Sequence, residues 1–204
     1  MLQTIRGYSQ RHLAAFVPER SALLILDMQK YFLSTSSHAF IPSAQAIVPL
    51  IVELTDVYAK KHLPVIFTRH LNSPQNAGLM AKWWRDLIRE ENPLSEIIDE
   101  LALSGGMVLK KSQYDAFFET PLTDILRERR VTQVVICGVM THLCCETTAR
   151  SAFVRGFEVF FTVDGTASYN ERFHLATLLN LSHGFAAPVL VEELLAAFRK
   201  KNAN

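Results

Sequence analysis

Residues 133–156 read QVVICGVMTHLCCETTARSAFVRG. The opening run, Gln133–Cys137, is apolar on successive residues and not on alternate ones, as in a strand covered on both faces of a parallel sheet. A helical stretch, Leu143–Arg155, follows almost at once and ends before Gly156, a natural helix-stopping position. A buried strand that feeds a helix is half of a βαβ unit.

The same alternation extends in both directions. Further strand-like runs are Ala22–Leu26, Pro64–Thr68, Gly106–Leu109, Glu158–Thr162 and Ala187–Val191. Between them, Ser43–His62 opens on a possible N-cap serine and sets Ile47, Leu50, Ile51 and Leu54 on one face. Pro121–Arg130 starts with proline near its first turn and ends in a basic cluster. Phe173–His183 stops before Gly184. The pattern predicts an α/β fold of three αβα layers, built on a doubly wound, mostly parallel, six-stranded, Rossmann-like sheet. Residues 1–204 read as a single domain, without repeat or linker. Residues 71–93 are the irregular part, a long loop with a short helix, the kind of segment that often serves as a lid or binding loop.

The chain is 49% apolar and 20% charged, with 21 basic against 20 acidic residues, so it can bury a large core and has no basic stripe suited to nucleic acid. Its apolar runs are too short to span a bilayer, and MLQTIRGYSQRHLAAF lacks an apolar signal core. A cytoplasmic location is expected. Three cysteines, Cys137, Cys144 and Cys145, suggest neither a disulfide framework nor a structural zinc site.

In an open parallel sheet, ligands bind beyond the carboxyl ends of the strands, where the winding reverses. Three chemically distinct groups arrive there: Asp27 after the first strand, Lys110 and Lys111 after the third, and Cys144 after the fourth. Singly, each has a plain explanation as a turn residue, a solvated pair or a small core side chain. Their common position gives them weight. Cys144 falls in the first turn of a helix near Thr141, whose hydroxyl could cap it. A helix start of that kind lowers a thiol pKa and can hold an oxyanion. Cys145, about 100° further round a helix, reads as packing, and Cys137 reads as an inert strand cysteine.

LLILDMQKYF, KSQYDAFFETPL and GVMTHLCCETTA together resemble motifs of the isochorismatase-like superfamily, over about Ser21–Leu195. The resemblance implies a catalytic triad of Asp27, Lys111 and Cys144. Asp27 would take the thiol proton and Lys111 would steady both charges. It also implies a cis peptide at Val139–Met140 that turns the amides of Met140 and Cys144 into an oxyanion hole. The spacing from Gly138 selects Cys144 over Cys145. Metal-dependent nicotinamidases of the superfamily carry Asp-x-His after the second strand. Here TRHLNSP puts Arg69 and Leu71 at those positions and leaves His70 alone, so neither metal nor cofactor is expected.

Gln29, Phe32, Trp83, Trp84, Tyr114, Phe117 and His142 flank the motifs as candidate substrate-binding walls, with Arg69 or Arg85 as a partner for a substrate carboxylate. The expected reaction is hydrolysis of a C–N bond in a small amide, carbamoyl or ureido compound through a thioester. The alternatives are isochorismatase-type vinyl-ether hydrolysis with Asp27 as acid, and a non-catalytic binding protein of the same fold. The resemblance also implies a homo-oligomer, dimer or tetramer, with a small molecule as the other partner.

Overall fold

The computed structural model describes residues 2–7, 15–101 and 106–200. In chain order the elements are α1 (Leu2–Gly7), β1 (Ser21–Leu26), α2 (Lys30–Leu33), α3 (Ala44–Lys60), β2 (Val65–His70), α4 (Met80–Trp83) and β3 (Met107–Lys111). There follow α5 (Leu122–Glu128), β4 (Gln133–Val139), α6 (Glu146–Val154), β5 (Glu158–Ala167), α7 (Glu171–Gly184), β6 (Ala187–Val189) and α8 (Val191–Lys200). The six strands lie in the order β3-β2-β1-β4-β5-β6, and every pairing is parallel. From β1 the chain winds outward through β2 to β3, then returns to β4 and winds the other way. The reversal between β1 and β4 opens the crevice in which such sheets bind ligands.

Successive side chains of β1 feed two separate cores, the consequence of a period of two. Leu23 and Ile25 join a cluster with Ile51, Leu54 and Tyr58 of α3 and Leu194 and Phe198 of α8. Ala22, Leu24 and Leu26 join another with Leu126 of α5, Ala149 of α6 and Leu178 of α7. The continuous apolar runs in the sequence have this cause: both faces are covered.

The structure moves several expected boundaries. β5 runs to Ala167, because Asp164 does not turn the chain. Its Oδ1 accepts from the Val191 amide at 2.9 Å, at the start of α8. Lys110 and Lys111 belong to β3 and do not follow it. α7 begins at Glu171, where Asn170 caps the Phe173 amide at 3.1 Å. Ser43 does not cap α3; its hydroxyl donates to the Ser168 carbonyl at 2.7 Å and ties that helix to the end of β5. Gly138 has φ of 111°, and a Cβ there would stand 2.1 Å from the Leu26 carbonyl oxygen. Only glycine lets β4 come this close to β1 beside the crevice.

Candidate active site

Three strand ends and one turn build the site. Asp27 follows β1 with φ of 51°, a left-handed conformation uncommon outside glycine. Its amide donates to Thr68 Oγ1 at 3.0 Å, and the Thr68 hydroxyl donates to Asp27 Oδ1 at 2.6 Å. Thr68 on β2 therefore fixes both the backbone and the carboxylate. Lys111 ends β3, in register with His70 of β2. Its Nζ lies 2.8 Å from Asp27 Oδ2, 3.3 Å from Cys144 Sγ, 2.9 Å from the Gln113 carbonyl and 3.2 Å from His70 Nδ1.

The Asp27 and Lys111 side chains are 1% and 0% exposed, so the pair is sealed from water. Burial opposes the charge on Asp27, but Lys111 foremost and His70 next hold its carboxyl below the usual range. Burial likewise opposes the charge on Lys111, and Asp27 outweighs it, so the ammonium holds its proton more tightly than usual. Cys144 goes the other way. Burial first and the Asp27 charge next push its thiol well up, against the pull of Lys111. The resting cluster is thus carboxylate, ammonium and protonated thiol. This corrects the expectation of a thiol pKa lowered by a helix start. Residues 141–145 form a π-helical turn that precedes α6, and Cys144 is buried within it. Nor does Thr141 cap that turn, since its hydroxyl is bonded to His174 Nδ1 at 2.9 Å. The Val139–Met140 peptide is cis, and the Leu143 and Cys145 amides both donate to the Met140 carbonyl.

Cys144 opens into a cavity of about 180 Å³ that is chiefly apolar. Phe32, Trp84 and Tyr114 line it, as anticipated, together with Tyr31, Leu143 and Tyr169, which sequence reading missed. The Trp84 indole donates to the Tyr114 hydroxyl at 2.6 Å and fastens the 71–93 segment over the cavity.

Five other candidates lie elsewhere. Gln29 is fully buried and brackets the backbone of His70, donating to its carbonyl at 3.1 Å and accepting from its amide at 2.8 Å. Phe117 stacks on Phe157 in the core beneath α5 and α6. His142 bonds Ser168 and stacks on Phe173, with ring centroids 4.4 Å apart. Trp83 is 78% exposed and does not line the cavity, and Arg69 turns to Ser95 and Glu96. Arg85 reaches the cavity mouth, but its side chain is largely in solvent. Cys145 and Cys137 are wholly buried in opposite cores.

The residues of TRHLNSP that face the cavity are His70 and Asn72, not Arg69 and Leu71. A shift of one residue along a strand exchanges its faces, so the expected positions Arg69 and Leu71 are turned away from this cavity. His70 Nε2 is bonded to Asn72 Oδ1 at 2.9 Å. Among the described residues, one trio of possible metal-ligating atoms lies within 4.8 Å of one another, on Asp27, His70 and Cys144. The Lys111 ammonium stands within reach of all three, so a metal cation does not fit there.

A carboxylate, an ammonium and a thiol meet at the switch point of a parallel αβα sheet, where α/β enzymes of this architecture bind their ligands. Residues 21–193 match the isochorismatase domain model, and the chain belongs to the isochorismatase family of hydrolases. It is 40% identical over 179 residues to nicotinamidase 3 of Arabidopsis thaliana, covering 85% of this chain and 86% of that one. Over 187 residues it is 34% identical to enterobactin synthase component B of Escherichia coli, covering 90% of this chain but 65% of that longer protein. A cysteine hydrolase from Pseudomonas syringae pv. phaseolicola shares the fold, with a TM-score of 0.88 at 24% identity over 94% of this chain and 99% of that one.

Proposed function

We propose that this hydrolase cleaves the C–N bond of a small, uncharged, planar carboxamide, with Cys144 as nucleophile, Asp27 as proton carrier and Lys111 as electrostatic support. The observation that carries the reading is the buried Asp27 carboxylate, which lies within 4.8 Å of Cys144 Sγ and whose Oδ2 has no aligned hydrogen bond. A thiol that is hard to ionise needs a base close by, and this carboxylate supplies one.

Asp27 takes the thiol proton as Cys144 sulfur attacks the carbonyl carbon. The carbonyl oxygen becomes an oxyanion, for which the Met140 and Cys144 amides are the proposed donors. The tetrahedral adduct collapses, the C–N bond breaks, and the nitrogen leaves as ammonia with the proton from Asp27. Water then adds to the thioester, delivering a proton to Asp27. C–S cleavage releases the acid, and the proton returns to sulfur. The sum is amide plus water giving acid plus ammonia.

The cavity walls favour an uncharged ring. Tyr31, Phe32, Trp84 and Tyr114 offer aromatic faces, and Asp86 lies at the mouth. A doubly charged acid such as isochorismate would need cations inside, yet the Lys111 hydrogens are already engaged, Arg69 points elsewhere, and Arg85 stands at the mouth with its side chain largely in solvent. Likeness to a nicotinamidase supports the same choice. The test is a turnover screen with nicotinamide, benzamide, ureido acids and isochorismate, beside Cys144→Ala. The account expects aromatic amides to be cleaved and the variant to be inactive. Isochorismate turnover that survives Cys144→Ala would establish the ether-hydrolysis reading instead.

A further inference from the structure

We infer that His70 is a positioning residue: its imidazole takes up one N–H of Lys111 and so keeps Asp27 Oδ2 open to receive the Cys144 proton. The inference rests on the roles proposed above for Asp27 and Cys144 and adds a residue to them.

An ammonium has three N–H donors. Those of Lys111 go to the Gln113 carbonyl at 2.9 Å, His70 Nδ1 at 3.2 Å and Cys144 Sγ at 3.3 Å. Asp27 Oδ2 is 2.8 Å from Nζ, but the approach is off the direction of a hydrogen bond. It is the one buried side-chain polar atom without a hydrogen-bond partner among the described residues. Asp27 Oδ1 is already satisfied by Thr68. Charge therefore stabilises the carboxylate, while a lone pair stays free for a proton.

The arrangement depends on a bare Nδ1, and the surroundings set that tautomer. Asn72 Nδ2 donates to the Ser112 carbonyl at 2.8 Å, which turns Asn72 Oδ1 toward His70 Nε2. Nε2 must then carry the hydrogen, and Nδ1 accepts. The groups facing the ring are Lys111 from β3, Asn72 beyond β2, Asp27 after β1, Cys144 from the π turn, and the Gln113 carbonyl, which already accepts from Lys111. Burial first and the Lys111 charge next drive the His70 pKa down to about 4, so the ring stays neutral near neutral pH. Gln29, through its two bonds to the His70 backbone, holds the ring's origin in place.

Without the imidazole, the third N–H has Asp27 Oδ2 as its nearest alternative, and a base that accepts from lysine is a poorer base. The test measures kcat, KM and the rate of Cys144 alkylation by iodoacetamide, mapped by peptide mass, for the wild type, His70→Leu, His70→Asn and Asn72→Asp. His70→Leu should lose about 10- to 100-fold in both kcat and alkylation rate, with KM little changed. His70→Asn, whose side-chain carbonyl can still accept, should recover most of the loss.

Asn72→Asp should favour an imidazolium that can no longer accept, giving a new acid limb in the pH profile that the His70→Asn/Asn72→Asp double variant lacks. Alkylation of His70→Leu at the wild-type rate would overturn the inference. So would His70→Asn performing no better than His70→Leu, or an Asn72→Asp profile like that of the wild type. Should His70→Leu fail to fold, the other two variants decide. Intact alkylation differences in an enzyme that cleaves no amide would sink the substrate proposal alone. Normal amide turnover with equal alkylation in every variant would sink this inference alone.

Discussion

Replacing Lys111 by methionine keeps most of the side chain and deletes its charge, which leaves the Asp27 carboxylate as an isolated anion in a site closed to water. Removing one partner of a buried pair costs about 3–5 kcal/mol, because the remaining charge is left uncompensated. Thr68 still donates to Oδ1, which places the expected loss near the lower end, about 3 kcal/mol at pH 7.

The pH dependence supplies a sign. In the wild type the Asp27 pKa is depressed. Its stabilisation is therefore present above the ordinary carboxylate value and is lost as pH falls through the lower, folded one. In Lys111→Met the largest influence opposing burial is gone, so burial outweighs what His70 and Thr68 still supply and the folded pKa rises above the unfolded value. Stability should then increase as pH falls from the raised value toward about 4, by about 1.4 kcal/mol per pH unit. Urea unfolding followed by far-ultraviolet circular dichroism from pH 4.5 to 8 measures both effects. A loss below about 1 kcal/mol, with the wild-type pH slope unchanged, would refute the buried-pair argument.

Other perturbations have equally definite outcomes. The depressed His70 pKa should make the wild type lose about 3 kcal/mol of stability between pH 6.5 and pH 4, as the unfolded chain binds a proton that the folded one refuses; urea titrations of His70→Asn should lack that slope. Gly138→Ala forces a Cβ against the Leu26 carbonyl and should cost about 4 kcal/mol or abolish folding, as read by thermal melting. Trp84→Phe removes the hydrogen bond to Tyr114 and should raise KM about fivefold, for roughly 1 kcal/mol, with kcat preserved. Cys145→Ala should cost about 1–2 kcal/mol from lost packing while Cys144 alkylates at its normal rate.

The fold was legible because the inner strands β1, β2 and β4 are covered on both faces, so their apolar runs show in the sequence without regard to neighbours. Asp27, Lys111 and Cys144 were legible because strand ends and motif spacing place them together. The rest depended on facts that no local pattern carries. The one-residue register at Arg69–Asn72 decides which side chains face the cavity, and β2, buried along its whole length, carries no alternation that would have revealed it. Gln29, Phe117 and His142 stand beside the motifs in sequence, but their hydrogen bonds and stacking partners lie on distant segments. The raised Cys144 pKa reflects burial and the proximity of Asp27, and both outweigh the effect expected from a helix start.

The most direct test is to quench the enzyme during turnover of an aromatic amide and weigh its peptides. The account predicts an acyl group on the peptide bearing Cys144, labile to hydroxylamine and absent in Asp27→Asn. Steady turnover with no acyl adduct there, or with the adduct on another residue, would contradict it.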